Sequence, residues 1–414
     1  MTETIEQREN TLEIKLEKAI EFLTYGMVLL FYTGRLFEPF VFLIDGIFLF
    51  LLYVRRDRAF IKDNRQVLVW FSILFGYFIV QSFFVEFSMV ALQNALGMIR
   101  FIILPFALYY VFNTNQKILK LIYTIFISVS LLMADSIYQY FNGNDIFGHP
   151  VEVLKHRLTA WSSTPKVGES LGLFVGMVVA SFFVVKQKYI PILVLLMLFT
   201  VMLISGNRGP IVYVFGAMGI VMLFSRYRIH LISVVSVVFV VAATLFIVSP
   251  NLFKEFQVYK NPFVSKNNSG RTTIYKAGVA MIKEHPLIGV GSKNFRYEFW
   301  EYYQKVYDPK RDTGEWDKIY ATLVPLHVHS MFLSLLINWG LIGSIIFLYT
   351  LYLLYKKYIF HHELALLASI SFIYTVFPLN FGKSIAQSQW QFFIFLTLAF
   401  AMIMSRYKTR GVQQ

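Results

Sequence analysis

A helix crosses the hydrocarbon core of a bilayer with about 20 consecutive, mostly apolar residues, and runs close to that length recur along this chain. They fall near 19–33, 37–54, 67–84, 89–112, 118–139, 168–186, 189–205, 209–225, 229–248, 332–356, 361–379 and 387–405, each bounded by charge or by Gly, Pro or Asn. Of the 414 residues, 57% are hydrophobic and 15% charged, so a water-soluble fold is excluded. The expected fold is an all-α polytopic membrane protein of about twelve transmembrane helices. An aromatic share of 18% suits lipid-facing helices with interfacial belts. The first run is the weakest, being short and flanked by Glu21 and Arg35; the charged, amphipathic stretch before it lacks a cleavage pattern and is not expected to be a signal peptide.

The net charge of +14 needs a topological explanation before any nucleic-acid partner is considered, and it has one. With the N-terminus inside, the inner segments hold 19 Lys and Arg, while the short outer loops hold three, Arg35, Arg208 and Lys383. That asymmetry places both termini in the cytoplasm. The chain then divides into a nine-helix membrane portion (1–248), an outer loop domain (249–328) between the ninth and tenth spans, and a three-helix membrane portion (329–414). A second outer segment, 140–167, is also longer than a turn. There is no Cys, which excludes disulfides, thiolate metal sites and thiol catalysis.

The large outer loop carries 12 Lys and Arg against 8 Asp and Glu, together with the cluster Phe295, Tyr297, Phe299, Trp300, Tyr302 and Tyr303. A basic, aromatic surface at the outer leaflet suits an anionic, lipid-linked or saccharide ligand. The same composition also describes an amphipathic segment resting on lipid headgroups. Within the loop, Thr272–His285 reads as a short helix capped by Ser269 or Thr272 and stopped by Pro286, which puts Arg271 at its entrance.

Several polar residues are costly where they stand. Arg208 lies in Ser205-Gly206-Asn207-Arg208-Gly209-Pro210, between two apolar runs. A cation there is unfavourable by up to ~3 kcal/mol and opposes the charge rule. Its planar guanidinium suits a bidentate grip on phosphate or carboxylate; a snorkelling arginine that caps a helix hairpin is the competing explanation. Arg35, Arg100 and Arg157 raise the same question, with Asp45 or Asp135 as intramembrane partners for Arg100. Arg271 would add fixed charge to a helix N-terminus, an anion site in outline, although a surface arginine in a basic loop is common.

His327 and His329, in Leu326-His327-Val328-His329-Ser330, precede the tenth span at the outer boundary. Without Cys or a convincing acidic third ligand, the pair is a poor metal site. A neutral imidazole there can take a proton from a sugar hydroxyl, or be structural. Gly289-Val290-Gly291-Ser292 lacks the Gly-Lys-Ser/Thr ending of a nucleotide loop and reads as a turn. No Asp-x-Asp pair in the outer loops offers a seat for a nucleotide sugar's metal, and a donor that leaves as a lipid diphosphate needs none if arginines neutralise it.

Three stretches together resemble the O-antigen ligase and polymerase superfamily. They are Asn207-Arg208-Gly209; Ser269-Gly270-Arg271 leading through Tyr275-Lys276-Ala277-Gly278 to Ile282-Lys283-Glu284-His285-Pro286-Leu287-Ile288-Gly289-Val290-Gly291; and His329-Ser330, nine residues, then Gly340-Leu341-Ile342-Gly343. The likeness spans roughly Leu158 to Tyr352, and Ser330 stands where many relatives have Asn. The resemblance implies an inverting, metal-independent and cofactor-free glycosyl transfer at the periplasmic face of the bacterial inner membrane. The donor would be an undecaprenyl-diphosphate-linked glycan and the acceptor a lipid A core oligosaccharide. Carried over, Arg208 and Arg271 would hold the carrier diphosphate, His329 would be the general base, and His327 a supporting neighbour; Arg157 and Arg35 join the expected substrate-binding set. A polymerase and a protein O-oligosaccharyltransferase share the outer loop and the arginines. A flippase of lipid-linked saccharide is the alternative from another class, for which internal repeats and paired polar spans would be expected.

Overall fold

The computed structural model describes residues 2–32, 36–152, 157–161, 166–207, 209–248, 271–308, 324–378 and 384–408. Arg35, Arg208, Ser269 and Lys383 lie outside these. Among the described residues the chain is helical: α1 (Thr2–Leu29), α2 (Phe37–Arg55), α3 (Arg58–Ser82), α4 (Ser88–Val111), α5 (Asn115–Asn142), α6 (Val167–Gly172), α7 (Val175–Ser181), α8 (Tyr189–Ile204), α9 (Gly209–Phe224), α10 (Arg228–Val248), α11 (Arg271–Glu284), α12 (Phe295–Val306), α13 (Met331–Tyr358), α14 (Glu363–Val376) and α15 (Ser388–Met404). Each expected apolar run falls on helix, but 168–186 is divided. The Phe174 amide bonds the Leu171 carbonyl in an i→i−3 turn at the junction of α6 and α7. Five helices (α2, α3, α4, α5 and α13) are long and apolar enough to cross a membrane, and α8, α9, α10, α14 and α15 contribute shorter apolar helices.

Helix starts follow local chemistry. Asp57 accepts the Phe60 amide at 2.9 Å ahead of α3, Thr114 accepts Lys117 ahead of α5, and Ser330 accepts Leu333 ahead of α13. From Trp390 to Met404 every residue of α15 is buried, which fits an apolar helix at the centre of a bundle, packed against α4 and α14. The N-terminal helix is tied in by charge: Glu13 and Glu17 bind Arg55, and Glu17 and Glu21 bind Lys117, all at 2.7–2.8 Å.

The segment after α5 is folded down onto that helix. Gln139 accepts the amides of Thr159 and Ala160, each at 2.9 Å, and Asp135 accepts the Ile146 amide at 2.9 Å. Asp135 is therefore committed here and is not the partner of Arg100. The Arg100 guanidinium instead lies 3.6 Å from Glu38 and over the rings of Phe42 and Phe101. Asp45, two turns along α2, feels that charge through space without a hydrogen bond.

The feature that positions α11 and α12 is a break in α13. Gly340 has φ +60°, so the helical bonds from Leu341 to Ile337 and from Ile342 to Asn338 cannot form. The segment Pro286–Gly291, a turn with left-handed glycines at 289 and 291, enters the gap and replaces both. Leu341 and Ile342 donate to the carbonyls of Pro286 and Leu287 (2.9 and 3.1 Å), while Val290 and Gly291 donate to the carbonyls of Ile337 and Asn338 (2.8 and 3.1 Å). Tyr77 Oη donates to the Trp339 carbonyl at 2.6 Å, and Gln81 Nε2 donates to both Asn338 and Ile288 carbonyls. The freed backbone groups of the break are thereby satisfied inside the protein.

This crossing leaves no room for side chains. A Cβ on Gly340 would sit 2.3 Å from the Leu287 carbonyl oxygen, and one on Gly289 (φ +69°) 2.5 Å from that of Ile337. Both neighbours are backbone and cannot swing aside. Gly340→Ala and Gly289→Ala are each expected to destabilise the protein by more than about 2 kcal/mol, through clash and left-handed strain. Gly46→Ala, on an open stretch of α2 with nothing within 4 Å, should be neutral or slightly stabilising. Thermal unfolding of the three variants in one detergent checks this; an unaltered Gly340→Ala would refute the account of the break.

Candidate functional site

Helix direction sorts the two ends of the bundle. Glu38 begins α2 and Arg55 ends it, 19 residues later, or about 28 Å along the axis. The end that carries Glu38 also holds the starts of α4, α6, α13 and α15 and the pair α11–α12. At this end a cavity of about 510 Å³ opens, lined by polar residues from five separate stretches of chain.

Its wall is basic. Lys166 comes from the start of α6, Lys293 from the turn before α12, and Arg296 from α12, while the one acidic lining residue, Glu38, already faces Arg100. Lys293 is held in place by the α13 break. Its amide donates to Asn338 Oδ1 at 3.0 Å, its backbone is left-handed (φ +68°), and its ammonium reaches Ser388 Oγ at 3.3 Å. Asn338 is in turn bonded to Ser334, which touches Ser384 at 2.6 Å. A buried polar chain thus runs from the broken helix to the cavity floor.

Both histidines stand at this cavity. His327 lines it, and the His329 ring lies against His327 with centroids 4.1 Å apart. The Gln387 amide group lies 3.0 Å from His327 Nδ1. With the amide donating, His327 carries its proton on Nε2. His329 has φ +53°, a conformation uncommon outside Gly and of the kind found at functional sites. Its carbonyl accepts the Tyr275 hydroxyl at 2.9 Å.

That contact is how α11 reaches the site. Tyr275 lies one turn after Arg271, and its hydroxyl is pushed up to about 12, chiefly by burial, against the opposing pull of the Arg271 charge. Arg271 and His329 therefore flank one tyrosine. The expected helix 272–285 is observed with nearly those limits, and its apolar side (Ile274, Ala277, Met281) packs with Val328, Ile337 and the α12 aromatics Phe295, Phe299, Tyr302 and Tyr303. These rings form the core between α11, α12 and the start of α13, although Tyr297 and Arg296 remain exposed.

Arg157 is not among the residues that line this cavity; it pairs with Glu152 in an isolated backbone bridge. The amide of Leu158 donates to the Ser205 carbonyl at 3.2 Å, and Arg157 Nε is buried with no hydrogen-bond partner among the described residues. Asn207 donates to Glu169 on α6 at 3.4 Å, so the turn Ser205–Asn207 is docked beside the helix that begins at Lys166. Arg208 and Arg35 themselves lie outside the described residues. Sequence reasoning missed Lys166, Lys293, Arg296 and Gln387. For Lys293 a signal existed, since it directly follows the Gly-x-Gly-Ser turn; the others become neighbours only through the tertiary fold.

The geometry sets a donor-rich, cationic cavity beside an imidazole pair, suited to an anion and to proton transfer at one place. A search among curated proteins gives no match. A family described as O-antigen ligase matches residues 192–348, so this tract, which runs from α8 through the break of α13 and includes Arg208, Arg271, Lys293 and both histidines, is similar to that family.

Proposed function

We propose that the protein is a glycosyltransferase that moves an undecaprenyl-diphosphate-linked O-antigen glycan onto a lipid A core oligosaccharide. The superfamily supports a ligase- or polymerase-type glycosyltransferase. The single observation that carries the finer reading is the basic cavity of about 510 Å³ that holds His327 and lies against His329. Its side of the membrane is read from charge. Arg55, Lys117, Arg226, Arg228, Lys356, Lys357 and Arg406 lie at the helix ends opposite the cavity, the pattern of a cytoplasmic face, so twelve crossings would put the cavity in the periplasm of the inner membrane.

In this reading the carrier diphosphate is bound by Arg208 and Arg271, with Lys166, Lys293 and Arg296 adding positive charge. His329 takes the proton of the acceptor hydroxyl as its oxygen bonds to the anomeric carbon. The bond from that carbon to the diphosphate oxygen breaks, and undecaprenyl diphosphate leaves with the electron pair. Attack from the face opposite the leaving group inverts the anomeric centre. Charge that builds on the leaving group is met by fixed guanidinium and ammonium groups, so the step needs no metal. His327, donating from Nε2, would orient the acceptor or the donor sugar.

Purified protein with lipid-linked glycan and core acceptor provides the tests. His329→Ala is expected to lower kcat by about 10²–10⁴; wild-type product yield from that variant would remove the general base. Arg208→Lys keeps charge but not the fork and should cost at least about tenfold in kcat/KM. Lys293→Ala should chiefly raise KM for the donor, and an unchanged KM would take the cavity out of donor binding. Activity is expected to survive exhaustive chelation. Donor incubated without acceptor should give no longer chains; lengthening there would turn the assignment to the polymerase.

A further inference from the structure

On the side of α12 away from the basic cavity, a second cavity of about 200 Å³ lies between α12, the end of α11 and the α3–α4 connection. Its charge is opposite. Glu86, Glu284, Glu298 and Glu301 all line it. Two of the four share one cation: Lys305 binds Glu284 at 3.1 Å and Glu301 at 2.8 Å, with its ammonium 4.4 Å above the Tyr302 ring. Tyr302 also donates to Glu284 at 3.0 Å and meets His285 Nε2 at 2.9 Å.

Glu298 is different. It is 6% exposed, lines the cavity, and its carboxylate makes no hydrogen bond or ion pair among the described residues. Burial, then the like charges of Glu86 and Glu301, push its carboxyl up to about 7. A buried carboxylate with only like-charged neighbours is costly unless a cation joins it. No three His, Asp or Glu side chains among the described residues converge closely enough to ligate a bare metal ion. The cluster does show what it accepts, because Lys305 sits in it as a primary ammonium held by carboxylates over an aromatic face.

We propose that this cavity binds a primary ammonium group, placed between Glu298 and Glu86. Two sources share that chemistry: the aminoalkyl headgroup of a phospholipid and an amino-substituted saccharide. Phe83 and Phe84, exposed beside Glu86, offer an apolar approach from the membrane boundary. The inference does not depend on the glycosyl-transfer reading.

The unfolding midpoint of purified full-length protein in neutral detergent at pH 8, at matched ionic strength, tests this. Ethanolamine or glucosamine should raise the midpoint by a few degrees. Choline, which has no N–H to donate, and magnesium chloride should not. Glu298→Gln should lose the response, and because the residue has no partner to lose, the variant should itself melt higher than wild type at pH 8. That advantage arises as pH climbs from 4.5 through 7, where the unfolded chain ionises Glu298 before the folded one does, and vanishes at lower pH. Nanodiscs rich in phosphatidylethanolamine, compared with phosphatidylcholine, distinguish the lipid source: a higher midpoint in the former assigns a headgroup, and a response to glucosamine alone assigns a saccharide. No response to either amine, an equal response to choline or magnesium, or a full response in Glu298→Gln would overturn the proposal.

Discussion

The half of this molecule that carries the basic cavity depends on an exchange of backbone hydrogen bonds. Where α13 breaks at Gly340, two helical bonds are lost, and the segment Pro286–Gly291 supplies two acceptors and two donors in their place. The exchange is stoichiometric, so the break is tolerated only while that segment is seated. It joins the outer helices to the bundle by backbone bonds that no side-chain change can re-aim. The two glycines at the crossing, Gly340 and Gly289, are required by the approach itself. From this joint follow the position of Asn338, the left-handed turn at Lys293, and the seating of α11 and α12 against the start of α13.

Charge is then distributed by the same scaffold. At the end opposite the cavity, Arg55 and Lys117 are each shared by two glutamates of α1, so positive charge there serves cohesion as well as orientation. At the cavity end, Lys166, Lys293 and Arg296 line one space, and the acidic Glu38 is turned toward Arg100. Cations gathered round one cavity give it a field suited to an anionic ligand.

Much of the fold was legible because hydrophobic run length is a strong signal in a bilayer: the expected runs fall largely on helix, although only five of the helices are long and apolar enough to cross a membrane. The division of 168–186 was not legible, since an apolar run reads the same whether its helix is whole or turned at Leu171–Phe174. The pairing of Arg100 was misread for a related reason. Sequence offered several acidic residues in nearby spans, and only the tertiary fold shows that Asp135 is spent on the Ile146 amide while Glu38 faces the guanidinium. The helix after Arg271 could be read from its apolar spacing and the proline beyond it, although Thr272, expected as a cap, lies inside the helix. Lys166, Arg296 and Gln387 could not, because they come from three separate elements that nothing in the linear order connects. The turn Gly289–Ser292 was identified correctly as a turn, yet its role in repairing a distant helix could be seen only with both segments in place.

The two cavities meet across a single helix, and that has mechanical meaning. Arg296 and Tyr297 face the basic cavity, and Glu298 and Glu301, less than two turns along, face the acidic one. An anion on one side and an ammonium on the other would each draw α12 against its own wall, while the Phe87–Tyr297 stack and the Asn294 bonds to Val290 and Gly291 hold its start beside the break. The helix is thus fixed at its N-terminal end by packing and backbone, and along its length by whatever charge each side receives. Lys293 stands immediately before that fixed end and lines the basic cavity, so the same packing and backbone bonds that seat the start of α12 also set where its ammonium enters the cavity.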